Sequence, residues 1–157
     1  MTVNTGGARL VVDAQVGTIW FDRSSARNAM LHTTWCALPK LLAQAEADSN
    51  VDVIVLRGAN GHFGAGNDIA EFGEMRTDAG TCRAYGQAMA DAMAAVERAA
   101  KPVVAAMQGN CYGASVALAL AADFRVAANN ARLAITPAKL GALYLRSDLH
   151  RLISLIG

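Results

Sequence analysis

The pattern of hydrophobic and polar residues along the chain predicts strands that alternate with helices. Val103–Met107 is a continuous apolar run between Pro102 and Gly109, which is typical of a strand buried on both faces. The alanine-rich segment 114–122 then predicts a buried helix. Because a short glycine-containing turn joins the two elements, the first N–H groups of this helix can be directed at a ligand. A purely structural strand-to-helix connection is an equally good interpretation of this turn alone.

The rest of the chain continues the alternation. The other predicted strands are residues 9–13, 17–21, 52–57, 124–128 and 132–135, of which the first two form a hairpin. The other predicted helices are residues 33–48, 78–98 and a segment after Ser147. Thr33 or Thr34 is expected to cap the first of these helices. Strands and helices in this order predict one α/β domain over residues 1–157, with parallel strand pairing.

Composition narrows the class of partner. The formal net charge is +1 and 17% of residues are charged, so we expect neither nucleic acid nor a membrane surface as a partner. No apolar run is long enough to span a bilayer, and the N-terminus has no signal-peptide pattern. Cys36, Cys82 and Cys111 are widely spaced, which favours core-filling thiols in a reducing, cytoplasmic compartment over disulfides or a metal site.

Two loops share one plan, in which an apolar strand leads through glycines into the start of a helix. In the first loop, Gly64 and Gly66 leave room for a close ligand and make the N–H of Asn67 available. In the second, Gly113 does the same for the N–H of Ala114. Two converging backbone donors are what an oxyanion hole requires.

The segments around these loops carry a resemblance to a known family. In order along the chain, FDRSSARNAM, VIVLRGANGHFGAGNDIAEF and KPVVAAMQGNCYGASVALALAADFRVAANNARLAITPAKLG resemble the enoyl-CoA hydratase/isomerase family, the crotonase superfamily. The resemblance covers nearly the whole chain. It implies a crotonase-like spiral of repeated ββα units. Members usually continue into C-terminal helices that cover the pocket and drive trimer formation, so that part is expected to be missing here.

The resemblance also implies a substrate. The ligand is expected to be an acyl-CoA thioester of fatty acid metabolism, with coenzyme A as part of the substrate and with neither a permanent cofactor nor a metal. The thioester oxygen would lie between the N–H groups of Asn67 and Ala114 and would carry the charge of an enolate. The residues expected to hold the coenzyme A part are Ala26, Asn28, Ala29, Ala65, Gly66, Asp68, Ile69 and Gly113. A homo-oligomer is expected, as a trimer or a dimer of trimers.

The chain departs from the hydratase pattern of the family at two positions. Ala117 and Pro137 stand where a hydratase has the two glutamates that add water, and water addition needs a proton donor and an acceptor. We therefore favour decarboxylation or another non-hydratase reaction. The segment ITPAKLGALY resembles methylmalonyl-CoA decarboxylases and makes Tyr144 a candidate catalytic residue, although an ordinary half-buried tyrosine fits equally well. The alternative function is a catalytically silent acyl-CoA-binding or scaffold protein.

Two carboxylates have different interpretations. Asp68 follows the first glycine loop and is expected to cap or orient the next helix rather than to act in catalysis. Asp148 is a candidate for a replacement acid or base, because the family usually has small residues at this point.

Overall fold

The computed structural model describes residues 4–157 and contains a mixed α/β architecture. Its strands are β1 (Asn4–Thr5), β2 (Ala8–Asp13), β3 (Val16–Phe21), β4 (Val53–Gly58), β5 (Val103–Met107), β6 (Asn110–Tyr112), β7 (Phe124–Ala127) and β8 (Arg132–Ala134). Its α-helices are α1 (His32–Ala47), α2 (Ile69–Met75), α3 (Ala79–Glu97), α4 (Ala114–Ala121) and α5 (Arg146–Ile156). Short 3-10 helices span Ser24–Ala26 and Pro137–Leu140. Every predicted helix and strand is present, including a helix after Asp68, whereas β1 and β6 were not predicted.

The main sheet has the strand order β1-β2-β3-β4-β5-β7. The predicted hairpin is confirmed, because β2 pairs with β3 in antiparallel fashion. From β3 onward the pairing is parallel, as predicted, with Ile19 opposite Leu56 and Leu56 opposite Ala105. A second, two-stranded sheet pairs β6 with β8 and so connects the glycine turn after β5 to the segment beyond α4.

The core lies on one face of the main sheet. Ile19, Leu56 and Ala105 are fully buried there together with Trp35 of α1 and Met93 of α3. Side chains alternate between the two faces of a strand, so their neighbours in sequence point away from these helices. This burial of large apolar side chains is the main favourable contribution to folding.

The prediction that β5 is buried on both faces is wrong. Val104 and Ala106 are only half-buried, whereas Val103, Ala105 and Met107 are buried. One face of β5 is therefore buried in the core, and the small apolar side chains on its other face remain partly accessible. A continuous apolar run therefore does not distinguish one covered face from two.

Two further expectations from the sequence are corrected. Helix α1 has Leu31 at its N-cap position, so capping by Thr33 or Thr34 is wrong. Thr34 lies in the first turn instead, where its hydroxyl accepts a hydrogen bond from the Leu31 N–H at 3.2 Å and donates one to the Gly6 carbonyl. All three cysteines are free thiols, but only Cys111 is buried, while Cys36 and Cys82 are exposed and fill no core.

Among residues 4–157, none of the helices combines the length and the apolar character that crossing a bilayer demands.

The one-sided core predicts different costs for neighbouring truncations in β4. Leu56→Ala removes a fully buried side chain, and we expect it to lower the free energy of unfolding by about 3 kcal/mol. Val55→Ala, on the half-buried face, should cost about 1 kcal/mol. Urea unfolding followed by circular dichroism measures both values. Equal losses at the two positions would contradict a core on one face.

Candidate active site

Backbone hydrogen bonds join the two glycine loops. The Phe63 N–H donates to the Gln108 carbonyl at 2.8 Å, and the Gly64 N–H donates to the Asn110 carbonyl at 2.9 Å. The Tyr112 N–H returns a bond to the Gly64 carbonyl at 3.0 Å. This ladder holds loop 59–68 against loop 108–113.

Gly66 brings the two loops into contact at their ends. Its φ of 93° lies in the left-handed region that favours glycine. A Cβ atom at this position would lie 2.9 Å from the Tyr112 carbonyl oxygen and 3.4 Å from the Ala114 nitrogen. The Gly66 N–H donates to the buried Ser115 hydroxyl oxygen at 3.0 Å. The first loop therefore ends directly against the first turn of α4.

The two candidate donors have no protein acceptor. Met30 donates to the Gly66 carbonyl at 2.8 Å and accepts from the Asp68 N–H at 2.9 Å, which leaves the Asn67 N–H out of this pairing. Ala114 is the first residue of α4, where helical N–H groups lack an internal acceptor. Among the described residues, neither the Asn67 nor the Ala114 N–H donates to a protein atom. Both remain available to a ligand.

Two adjoining cavities open at these donors. The mouth has a volume of about 100 Å³, and the chamber has a volume of about 420 Å³. The mouth is lined by Ala65, Gly66, Asn67, Ile69, Phe72, Gly113, Ala114, Thr136, Pro137 and Ala142. The chamber is lined by Asn67, Phe72, Met75, Arg76, Cys82, Tyr85, Gly86, Met89, Ala114, Pro137, Gly141, Ala142, Leu143, Tyr144 and Leu145. Asn67 and Ala114 line both cavities.

Tyr144 lies in the chamber and touches the second loop. Its hydroxyl donates to the Gly113 carbonyl at 3.2 Å. Burial raises the pKa of Tyr144, and the negative charge of Asp148 raises this pKa further. The phenol is therefore neutral at physiological pH and keeps its proton next to the residue that precedes Ala114.

Asp148 is buried but does not line the mouth or the chamber. Its carboxylate is 2.7 Å from Arg151, which also contacts Glu97 of α3 at 2.5 Å. Burial raises the pKa of Asp148, although the charge of Arg151 opposes this shift. The ion pairs connect α5 to α3 and give Asp148 a structural contact.

Asp68 caps α2, as predicted. Its Oδ1 accepts hydrogen bonds from the N–H groups of Ala70 and Glu71, and its Oδ2 lies 3.1 Å from the guanidinium of Arg23. Burial alone would raise the pKa of Asp68, but the Glu71 N–H and Arg23 stabilise the carboxylate and lower it. The carboxylate thereby orients the chain immediately after Asn67.

The residues expected to hold coenzyme A fall into two groups. Ala65, Gly66, Ile69 and Gly113 line the mouth, whereas the remaining four do not. Asn28 is buried and its side-chain amide donates to two carbonyl oxygens, those of Ala59 at 2.8 Å and His62 at 2.7 Å. These bonds give the Asn28 side chain a role in holding the first loop.

Ala26 and Ala29 flank Asn28. Ala26 ends the first 3-10 helix, and the Ala29 carbonyl accepts a hydrogen bond from Arg23 at 2.6 Å. These two alanines lie on either side of Asn28, whose side chain bonds to the first loop, and neither alanine lines the mouth.

The two positions that depart from the hydratase pattern differ in their access to the cavities. Ala117 is fully buried inside α4, and Pro137 lines both the mouth and the chamber. Among the described residues, the lining of these cavities contains no aspartate or glutamate.

Ser115 is a contributor that sequence reasoning missed. Its hydroxyl bonds the Gly66 N–H, so it connects the two loops at the level of the candidate donors. The only signal for it in the sequence is a polar residue within an otherwise apolar helix, ASVALALA. That signal identifies the residue but not its acceptor role toward another loop.

Comparisons with known proteins agree with this architecture. Residues 12–157 match the family model for enoyl-CoA hydratase/isomerase. A crystal structure of an enoyl-CoA hydratase/isomerase family protein from Hyphomonas neptunium superposes with a TM-score of 0.92 at 39% identity, covering 96% of this chain and 58% of that one.

Curated relatives give the same result. The peroxisomal Delta(3,5)-Delta(2,4)-dienoyl-CoA isomerase of Arabidopsis thaliana is 30% identical over 92% of this chain and 56% of its own length. The short-chain-enoyl-CoA hydratase of Clostridium acetobutylicum is 32% identical over 92% of this chain and 55% of its own length. The chain thus spans little more than half of these relatives. With the spiral core and both glycine loops in place, the chain belongs to the enoyl-CoA hydratase/isomerase family.

Proposed function

We propose that the chain binds an acyl-CoA thioester and stabilises its enolate between the N–H groups of Asn67 and Ala114. The observation that supports this proposal is that Asn67 and Ala114, whose backbone N–H groups have no protein acceptor among the described residues, line both the mouth and the chamber. Such donors are aligned before the reaction begins, so each can contribute about 3 kcal/mol of transition-state stabilisation. The mouth would hold the thioester, and the chamber would hold the acyl group.

Decarboxylation is the reaction that these residues favour. In a malonyl-type thioester, the bond between C2 and the carboxyl carbon breaks and its electron pair forms a C1–C2 double bond. The carbonyl oxygen takes up the negative charge between Asn67 and Ala114, and carbon dioxide leaves. This route generates the enolate without a base, which suits cavities whose described lining contains no carboxylate.

Tyr144 is the proposed proton donor to C2. Its raised pKa keeps it protonated, and its hydroxyl is already positioned beside the second loop by the bond to Gly113. Transfer of this proton completes the product thioester, and solvent then restores the phenol. The same hydroxyl also helps to fix the loop that carries Ala114.

The other proposed features concern the whole protein. The coenzyme A part would extend from the mouth along Ala65 and Ile69 toward the segment that contains Ala26 and Ala29. A homo-oligomer is proposed because apolar side chains of α5 such as Ile153 and Ile156 are exposed in the described chain. A cytoplasmic location is proposed from the free thiols.

Replacing Ala114 by proline tests the donor role. Proline is well tolerated at the first position of a helix, so Ala114→Pro should leave α4 intact, while it removes the N–H and puts the ring Cδ atom in its place. We expect kcat to fall at least about 100-fold. Ala114→Gly keeps the N–H and should retain activity within a few-fold. A correctly folded Ala114→Pro variant with unchanged turnover would rule out this donor.

A substrate panel tests the reaction class. With malonyl-CoA and methylmalonyl-CoA we expect release of carbon dioxide, and with crotonyl-CoA we expect no hydration, because the chain lacks the glutamate pair. Coupled carbon dioxide detection and absorbance of the enoyl thioester measure the two outcomes. Binding of these thioesters without any product would instead support a catalytically silent acyl-CoA-binding protein.

Substitution of Tyr144 by phenylalanine tests proton donation. Tyr144→Phe keeps the aromatic ring in the chamber and removes the acidic proton, so kcat for decarboxylation should fall about 100-fold. Its affinity for acetyl-CoA, measured by calorimetry, should stay unchanged. An unaltered kcat would leave Tyr144 as a half-buried tyrosine that only supports the Gly113 loop.

A further inference from the structure

The side chain of Asn67 has a fixed orientation at the entrance to the chamber. The indole N–H of Trp35, which is fully buried, donates to Oδ1 of Asn67 at 2.9 Å. Because an indole nitrogen can only donate, the amide oxygen must face Trp35 and the amide nitrogen must face the other way. The nitrogen lies 3.4 Å from the Met89 sulfur, which is a weak acceptor. Asn67 therefore keeps donor capacity for a ligand in the chamber.

The two phenols of the chamber have their protons engaged. The Tyr85 hydroxyl donates to the Met30 carbonyl at 3.3 Å, and the Tyr144 hydroxyl donates to the Gly113 carbonyl. Among the nitrogen-bearing side chains that line the chamber, Asn67 and one charged residue therefore keep donors for a ligand.

That charged residue is Arg76. It lines the chamber at the end of α2, with its guanidinium 5.9 Å from the centre of the Phe72 ring. Arg76 forms no ion pair with the side chains that the structure describes. Arg76 is exposed, so the chamber has a solvent-accessible cation and an oriented amide donor in an otherwise largely apolar lining.

Nearby acidic residues face a different cavity. Glu71 and Glu74 line a separate cavity with His32, and the Glu71 carboxylate accepts the His32 backbone N–H at 2.6 Å. Neither glutamate lines the chamber. The charge of Glu71 does reach Tyr85, which lines both that cavity and the chamber and whose pKa it raises in addition to the effect of burial. Among the described side chains that line the chamber itself, Arg76 carries a charge and no carboxylate is present, which favours an anionic group there.

We propose that the chamber selects acyl groups that end in a carboxylate, bound by the Asn67 side-chain amide and the Arg76 guanidinium. This inference rests on the proposed function, because it assumes that the thioester lies in the mouth. It adds a second role to Asn67, whose backbone N–H faces the thioester oxygen while its side chain recognises the far end of the acyl group. The recognised carboxylate is distinct from a carboxylate on C2 that leaves during decarboxylation.

Matched thioesters test this selectivity without turnover. The pairs are butanoyl-CoA with succinyl-CoA, pentanoyl-CoA with glutaryl-CoA, and hexanoyl-CoA with adipoyl-CoA, each pair differing only in a terminal methyl or carboxylate. In calorimetry, the carboxylate member of at least one pair should bind about tenfold more tightly. Equal binding within every pair overturns the inference but leaves the proposed function standing. No binding of any thioester overturns both.

Three variants assign the effect to residues. Arg76→Gln should abolish most of the preference for carboxylate while preserving methyl-ended binding, and Arg83→Gln, an exposed arginine of α3 outside the chamber, should preserve both. Asn67→Asp retains an oxygen for Trp35 and the backbone N–H, but replaces the donor by an anion. It should therefore weaken the carboxylate member selectively. An unchanged preference in both Arg76→Gln and Asn67→Asp overturns the inference.

Discussion

The hydrogen-bond ladder between the two glycine loops is the constraint on which the candidate site depends. Each loop alone is a connection after a strand, and neither forms a cavity without the other. The bonds of Phe63, Gly64 and Tyr112, completed by the contact of Gly66 with Ser115, align the loops over several consecutive residues. Because these bonds are made by the backbone in a largely buried setting, the alignment is stiff. The free N–H groups of Asn67 and Ala114 are a by-product of that alignment.

Close packing of the loops explains where side chains are excluded. A Cβ atom on Gly109 would overlap the Gly61 carbonyl, and one on Gly66 would crowd the Tyr112 carbonyl. Side chains next to this backbone contact also fix the loops. Asn28, for example, donates hydrogen bonds to the carbonyls of Ala59 and His62. The site therefore separates two tasks. Buried groups behind the loops maintain the geometry, and groups that line the mouth and the chamber are left to meet a ligand.

Much of this architecture was predictable because it has a local signal in the sequence. The apolar run of β5, the alanine-rich α4 and the glycine loops are each visible in a few consecutive residues, and Asp68 is recognisable as a helix cap. Contacts between distant segments have no such signal. The bond between Trp35 and Asn67, the placement of Arg76 and the ion pair of Arg151 with Glu97 depend on how the helices pack. The same limitation explains the incorrect prediction for the second face of β5, whose covering is a property of the assembled sheet.

The use of peptide N–H groups as donors has a consequence for how such a site can diverge. Almost any amino acid at positions 67 and 114 supplies the same polarising group, so drift at these positions preserves the capacity to activate a carbonyl. Change of chemistry can then be confined to neighbours such as Ala117, Pro137 and Tyr144, which differ in whether they offer a proton-transfer group. If the proposed donors act as described, activation of the carbonyl depends on the backbone, whereas the later proton transfer depends on a few neighbouring side chains.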